Sequence, residues 1–337
     1  MDLLSPAQYR GKEMNIESVY RMIAQDLQAV ERELDKNIQS EIALVPTMGR
    51  YILNSGGKRF RPLLLILSAR LCGYKGKGHI QLACILEFIH TATLLHDDVV
   101  DNANIRRGNT SANTLWGNQA SILIGDLFFA QSFSLIAQTR NWRVLKVLTG
   151  ATTKLAQGEV LDLVQEGDLA CDEAGYLTTI TYKTASLIKA ACHIGAILGN
   201  VDQKKEKAMK NFGNNLGIAY QLMDDTLDYV STEEEFGKTI GKDLEEGKIT
   251  LPLIHTLQKS APKDREFIIS ALKKEKLTKK LLTKILNLIK HYQGLEYTAQ
   301  RAREYALKAK KGLKSFLPSH EKEALMSIAD YVVDRRH

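Results

Sequence analysis

Proline is scarce in this chain of 337 residues. Six occur, at positions 6, 46, 62, 252, 262 and 318, and none lies between Leu63 and Leu251. That interval therefore has no residue that removes a backbone N–H and breaks a helix. Cysteine is scarce too. Cys72, Cys84, Cys171 and Cys192 stand apart without metal-type spacing, which excludes a zinc ribbon or a disulfide framework. They predict reduced, mostly buried thiols in a cytoplasmic protein. There is no Gly/Ser/Pro linker, low-complexity tract or clear repeat, so the expectation is one domain over residues 1–337. The opening Met1-Asp2-Leu3-Leu4-Ser5-Pro6 lacks the basic flank and apolar stretch of a signal peptide, and no run approaches the ~18 apolar residues of a spanning helix.

Basic residues outnumber acidic ones, 46 to 39, for a formal net charge of +7. No nucleic-acid motif accompanies the surplus, so nucleic acid is not an expected partner. Lysine runs such as Lys273-Lys274-Glu275-Lys276 and Lys308-Ala309-Lys310-Lys311 read as solvated helix faces. The alternative is a field that draws in anionic substrates or membrane headgroups.

Apolar residues recur at helical spacing along the chain, as at Ile16, Val19, Met22, Ile23, Leu27, Val30 and Leu34. The periodicity predicts helices over 14–38, 63–71, 78–100, 112–138, 142–166, 172–199 and 204–230. A Gly/Lys/Glu-rich loop follows over about 231–248, then shorter helices. Ser121-Ile122-Leu123-Ile124 could pass for a strand, but its long proline-free setting makes it helical. The fold class is all-α, a bundle of long helices around one core.

Two acidic clusters of one shape stand inside these helices: Asp97-Asp98-Val99-Val100-Asp101 and Asp224-Asp225-Thr226-Leu227-Asp228. Positions i and i+4 share a helix face about 6 Å apart, so Asp97 faces with Asp101 and Asp224 with Asp228. Carboxylates crowded this way repel unless a cation sits between them. A hard divalent ion, Mg2+ above all, suits oxygen ligands and recruits phosphate oxygens to complete its shell.

Basic residues accompany both clusters. Arg106-Arg107-Gly108 follows the first, and His90 lies two turns upstream on its helix. Gly56-Gly57-Lys58-Arg59-Phe60-Arg61-Pro62 places three cations at a helix entrance, where backbone N–H groups favour an anion. Gly237-Lys238, Gly241-Lys242 and Gly247-Lys248 follow the second cluster, as in a loop that closes over a polyanion. Lys183-Thr184 lies inside a helix-patterned segment, where a lysine can point inward at phosphate. The reading is a magnesium–diphosphate site.

With these motifs the chain resembles the trans-isoprenyl (polyprenyl) diphosphate synthases, from Gly56-Gly57-Lys58-Arg59-Phe60-Arg61-Pro62 to Tyr331-Val332-Val333-Asp334-Arg335-Arg336. Both aspartate-rich motifs, Arg106-Arg107-Gly108 and Gly247-Lys248-Ile249-Thr250-Leu251-Pro252 carry the likeness. The resemblance implies an all-α homodimer whose helices surround a deep cavity, with three Mg2+ per active site. It implies that Lys58, Arg61, His90 and Arg107 hold the diphosphate of isopentenyl diphosphate. Arg106, Lys183, Thr184, Gln221, Lys238 and Lys248 would hold the allylic diphosphate. Asp97, Asp101 and Asp224 would ligate magnesium directly, with Asp98, Asp225 and Asp228 close behind. Arg106, Lys183 and Lys238 would join the three ligating aspartates in catalysis.

The resemblance also bears on product length. In the family a bulky aromatic five residues before the first aspartate stops the chain short; here Ala92 and Thr93 are small. That favours a long product, octaprenyl above its neighbours, for a quinone side chain, with Phe129, Phe133, Ile136 and Leu148 as candidate floor residues. Release of so apolar a product implies peripheral membrane contact. The alternatives are a shorter-chain farnesyl or geranylgeranyl synthase, or a non-catalytic subunit of a hetero-oligomeric synthase, although no motif aspartate is eroded. A terpene cyclase would share the first cluster but replace the second and need no isopentenyl site.

Overall fold

A computed structural model describes residues 14–230, 241–274 and 277–335. The described residues open with α1 (Ile16–Met22), α2 (Ala24–Asn37), α3 (Leu44–Asn54), α4 (Phe60–Leu71) and α5 (Gly78–Val100). A two-stranded hairpin, β1 (Ile105–Arg106) and β2 (Asn109–Thr110), leads into α6 (Ala112–Gln138) and α7 (Trp142–Gln165). Then come α8 (Glu173–Ile180), α9 (Ser186–Leu198) and α10 (Gln203–Asp228). Beyond lie α11 (Lys242–Glu245), α12 (Leu251–Lys259), α13 (Pro262–Leu272), α14 (Lys279–His291), α15 (Gly294–Gly312) and α16 (His320–Asp334).

The all-α class and most predicted spans agree with this architecture, and the differences are local. The stripe over 14–38 is two helices, because Ile23 leaves helical geometry at φ −116°. Helix α3 was not anticipated; its Pro46 sits in the first turn, where a missing N–H costs no bond. Helix α4 starts at Phe60 rather than Leu63 and likewise carries Pro62 in its first turn. The segment predicted as 172–199 is interrupted by a π-helical turn, Thr181–Ala185. The expectation that no apolar run could span a membrane needs correcting. By length and composition α5 and α6 are both long and apolar enough, although α5 is mostly buried in the protein.

Helices α4 and α9 form the centre. Leu63–Leu67 have no exposed surface, and α9 buries Leu187, Ile188, Ala191, Cys192 and Ile194 equally. Around them pack α5, α7 and α10, with α6 against α5 and α15 against α10. A smaller apolar cluster joins Tyr229, Leu244, Leu253, Ile268, Ile285 and Ile289 from α10 through α14. Successive long helices reverse direction. The end of α5, the start of α9, the end of α10 and the start of α12 therefore meet at one end of the bundle, the mouth. At the far end Gly199 and Gly312 sit against Cys72 and Ala208.

Candidate functional site

The mouth opens into a cavity of about 1500 Å3. Asp97 lies in the last turn of α5, and the N–H of Asp101 donates to the Asp97 carbonyl at 2.8 Å, so the helical turn carries both carboxylates to one wall. Asp224, Asp225 and Asp228, in the last turns of α10, line the same cavity. The two clusters therefore share one space. Among the described residues no three carboxylate or imidazole groups converge into a ready-made cage.

Each wall has its own counter-charges. Lys183 and Thr184 project from the π-helical turn, a feature that recurs at functional sites because it re-aims side chains within a helix. Lys183 Nζ donates to Asp162 Oδ2 at 2.8 Å and lies 2.7 Å from Glu159 Oε2. Burial pulls its ammonium down, but Asp162, Glu159 and Asp97 outweigh that and hold it above its ordinary value. Thr184 donates to Gln221 Oε1 (2.7 Å), and Gln221 donates to Asp225 Oδ1 (2.7 Å). The buried Tyr176 hydroxyl donates to the other Asp225 oxygen. Lys248 bridges Asp101 Oδ2 (3.2 Å) and Glu246 Oε2 (2.9 Å). The Asp243 amide donates to Asp228 Oδ2 at 3.1 Å.

A second basic group lines the wall nearest Asp224. The chain turns through Arg107 (φ 52°) and Gly108 (φ 78°) between β1 and β2, the two-residue hairpin geometry that needs positive φ at both positions. That turn aims Arg107 across to the Gly56 carbonyl, to which it donates. A Cβ on Gly57 would lie 2.6 Å from Arg107 Nη1, so the glycine leaves room for the guanidinium. Arg61, His90 and Lys58 share this wall. Among the described residues Arg61 Nε is buried without a hydrogen-bond partner, as a group awaiting an anion would be. Lys58 Nζ donates to the Tyr331 hydroxyl at 2.6 Å.

Arg59 departs from the triplet. It is held in left-handed backbone (φ 44°) and donates to Glu31 (2.6 Å), Glu87 (3.0 Å) and the Leu53 carbonyl (2.8 Å). It acts as a strut beneath the other cations rather than as one of a set.

Several sequence-derived positions sit elsewhere. Asp98 is buried and accepts from Arg106 Nε at 2.6 Å; this pair faces a small cleft behind the cavity wall. Ala92 has no exposed surface and is not on the cavity wall, whereas Thr93 beside it is. Of the four floor candidates only Phe129 lines the cavity. Ile136 and Leu148 are sealed in the core, and Phe133 is exposed. Gly237 and Lys238 lie outside the described residues.

Sequence reasoning passed over Glu87, Glu159, Asp162, Asp243 and Arg335. Arg335 donates to Asp224 Oδ1 at 2.5 Å and to the Tyr220 carbonyl at 2.9 Å, with its guanidinium 4.2 Å from the Tyr220 ring centre. Glu87 offered one signal, a lone carboxylate within an apolar helix stretch. Pairings between residues 111 positions apart offer none.

The carboxylates are short of positive charge even with these partners. Burial raises Asp97 despite Lys183 and Arg106, and raises Asp224 despite Arg335, Arg61 and Lys58. Burial also pushes Asp225 up to about 7, and lifts Asp243 well above the usual range with help from Asp228 and Asp225. An all-oxygen donor set with a deficit of cations fits a hard divalent ion that keeps waters and takes further ligands from a diphosphate.

Fold and site thus define a helical protein built to hold diphosphates beside divalent cations. The sequence pattern of the Polyprenyl synthetase family matches residues 42–289, and the chain belongs to that family as a prenyltransferase. It is similar to octaprenyl diphosphate synthase of Escherichia coli, 39% identical over 96% of this chain and 99% of the relative. A crystal structure of polyprenyl synthase from Caulobacter crescentus CB15, complexed with calcium and isoprenyl diphosphate, superposes with a TM-score of 0.91 at 39% identity. It covers 97% of this chain and 99% of that one. A decaprenyl diphosphate synthase from Rhodobacter capsulatus also gives 0.91, at 38% identity over 95% and 99% of the two chains.

Proposed function

We propose that this chain is a long-chain trans-polyprenyl diphosphate synthase, of octaprenyl type, extending an allylic diphosphate with isopentenyl diphosphate for a quinone side chain. One observation carries the reading: two aspartate clusters and two separate cation groups open on a single cavity that apolar side chains such as Leu94, Phe129, Leu155 and Ile180 also line. Its volume exceeds the ~300–1,000 Å3 of ordinary small-molecule sites, as a growing hydrocarbon chain requires.

Lys183, Thr184, Gln221 and Lys248 bind the allylic diphosphate beside Asp97, Asp101 and Asp224, and Arg106 supports Asp98 from behind. Lys238 is proposed as a further contact. These aspartates, with Asp225 and Asp228 behind them, would hold Mg2+, three ions as proposed, which would supply positive charge against the departing diphosphate. On the facing wall Lys58, Arg61, Arg107 and neutral His90 hold isopentenyl diphosphate, with its double bond turned to the allylic carbon. The new carbon–carbon bond forms there as the allylic C–O bond breaks. The departed diphosphate is proposed to take the proton lost in forming the new double bond. Phe129 and Leu155 on the cavity wall are proposed to exclude water from the allylic cation.

The chain is proposed to work in the cytoplasm as one catalytic domain, and Ser327 donates to the Met14 carbonyl across 313 positions, tying its two ends together. A homodimer is supported by α6, which beyond the break in helical geometry at Gly117 leaves Ile122 (41%), Leu123 (66%) and Leu127 (38%) exposed.

Incubating the purified chain with Mg2+, farnesyl diphosphate and labelled isopentenyl diphosphate should give a long prenyl product on chromatography after dephosphorylation. Chelation with EDTA should abolish it. Asp97→Ala and Asp224→Ala should each lower kcat by at least ~100-fold, the scale of losing one transition-state electrostatic contact. Full activity in either variant would remove the aspartates from the mechanism.

A further inference from the structure

The mechanism uses the mouth of the bundle and leaves the far end unexplained. That end combines positive charge with bare apolar side chains. Lys204 and Lys207 lie exposed on the first turns of α10, Lys311 in the last turn of α15, and Lys314 in the 3-10 turn just beyond it. The helices meet there, because Gly312 abuts the Ala208 carbonyl, 3.2 Å from where a Cβ would stand. The start of α7 joins them through Arg143, which donates to Glu206 at 2.5 Å. Next to Arg143, Trp142 is 75% exposed, and just past α15 Leu317 is 85% exposed. Leu307 (57% exposed) and Lys311 fall at i and i+4 on one face of α15, and Lys314 follows in the 3-10 turn Leu313–Ser315.

We infer that this far end is a docking surface for an anionic phospholipid bilayer. Lysines beside exposed tryptophan and leucine are the combination that seats a protein on such an interface. Each lysine near the headgroups contributes about fivefold in affinity, and the indole occupies the polar–apolar boundary. Charge alone does not single this end out, since Lys273, Lys280 and Lys284 form another basic area near α13 and α14. None of the large exposed apolar side chains lies on those helices among the described residues. From Lys204 to Asp224 along α10 is roughly 30 Å at ~1.5 Å per residue, so docking here leaves the mouth open to soluble diphosphates. A product with a long hydrocarbon tail growing away from the mouth would then extend towards the bilayer. That last point rests on the proposed long-chain activity; the docking itself does not.

The test is co-sedimentation of the full chain with phosphatidylcholine vesicles, with and without phosphatidylglycerol, in the absence of substrates. Binding should require the anionic lipid and weaken as salt rises. The triple variant Lys207→Glu/Lys311→Glu/Lys314→Glu should bind at least tenfold more weakly while keeping its circular dichroism and its turnover of soluble substrates. Reversing Lys273, Lys280 and Lys284 should change binding by less than threefold. In a Trp116→Phe background, Trp142 is the remaining tryptophan of two, and its emission should shift to the blue with anionic vesicles. Equal binding to neutral vesicles, an unaffected triple variant, an unmoved Trp142 spectrum, or tighter binding to an RNA duplex than to vesicles would each overturn the inference. Because binding is read without substrates and turnover serves only as a control on the variant, a failure to bind leaves the proposed activity standing, and a short product leaves the docking standing.

Discussion

His90 illustrates how single residues at this site are set by their neighbours. Burial, with Arg61 and Arg107 beside it, holds the imidazole well below its ordinary value, so it is neutral in the folded protein at pH 7. In the unfolded chain it titrates near ~6.5. Below that pH the unfolded state binds more protons, so the stability His90 contributes is complete above ~6.5 and is lost as pH falls through it. One unit lower the loss is at most about 1.4 kcal/mol. His90→Gln should flatten that part of the acid sensitivity, read as denaturant midpoints at pH 7.5 and 5.5 without substrate. Identical pH slopes in the two proteins would mean that the imidazole charges freely in the folded site. Legibility at this scale was good for residue type and poor for partners. The aspartate spacing announced cations, but nothing local distinguished Asp97, which faces the cavity, from Asp98, which turns to Arg106.

At the scale of elements, the π-helical turn and α7 are pressed together. A Cβ on Gly158 would lie 2.4 Å from Lys183 N and 2.8 Å from its Cα, and backbone atoms cannot rotate away. Gly158→Ala should therefore push α7 off the turn that presents Lys183. The expected cost is ~1–3 kcal/mol of stability with a raised KM for the allylic substrate, measured by denaturation and steady-state kinetics. Unchanged stability would show that the helices separate without strain. Product length is proposed to depend on the neighbouring pair α5 and α6. Ala92, fully buried, has no cavity surface to fill, so Ala92→Phe would overpack the core at a similar cost. Thr93 does face the cavity, and Thr93→Phe should shorten the product while turnover continues. A wild-type distribution of chain lengths would place the path away from α5.

For the whole molecule, the outer side of α6 is the largest question, since a long apolar helix face stays exposed in one chain. Fully burying a leucine contributes about 1.5–3 kcal/mol, and Leu123 and Leu127, 66% and 38% exposed, would each gain part of that on docking to a second copy. Leu123→Glu/Leu127→Glu should convert a dimer into a monomer in light scattering at micromolar concentration. A wild-type protein that is already monomeric would end that reading. The lysine-rich helices, taken from composition as solvated faces, separate once they are placed. Those at the far end share their surface with Trp142 and Leu317, and those near α13 and α14 do not.

The all-α class, most helix spans and the paired acidic faces followed from the sequence alone, because helical periodicity and i to i+4 spacing are properties of a few consecutive residues. The tertiary structure decided which of those groups meet. Lys248 reaches Asp101 across 147 positions, Arg335 reaches Asp224 across 111, and Arg59 becomes a strut between Glu31 and Glu87. The reversal of successive helices brings their ends to one mouth, and side-chain packing then selects which carboxylate keeps a cation and which faces the cavity. Neither depends on local spacing, and so neither could be read before the chain was folded.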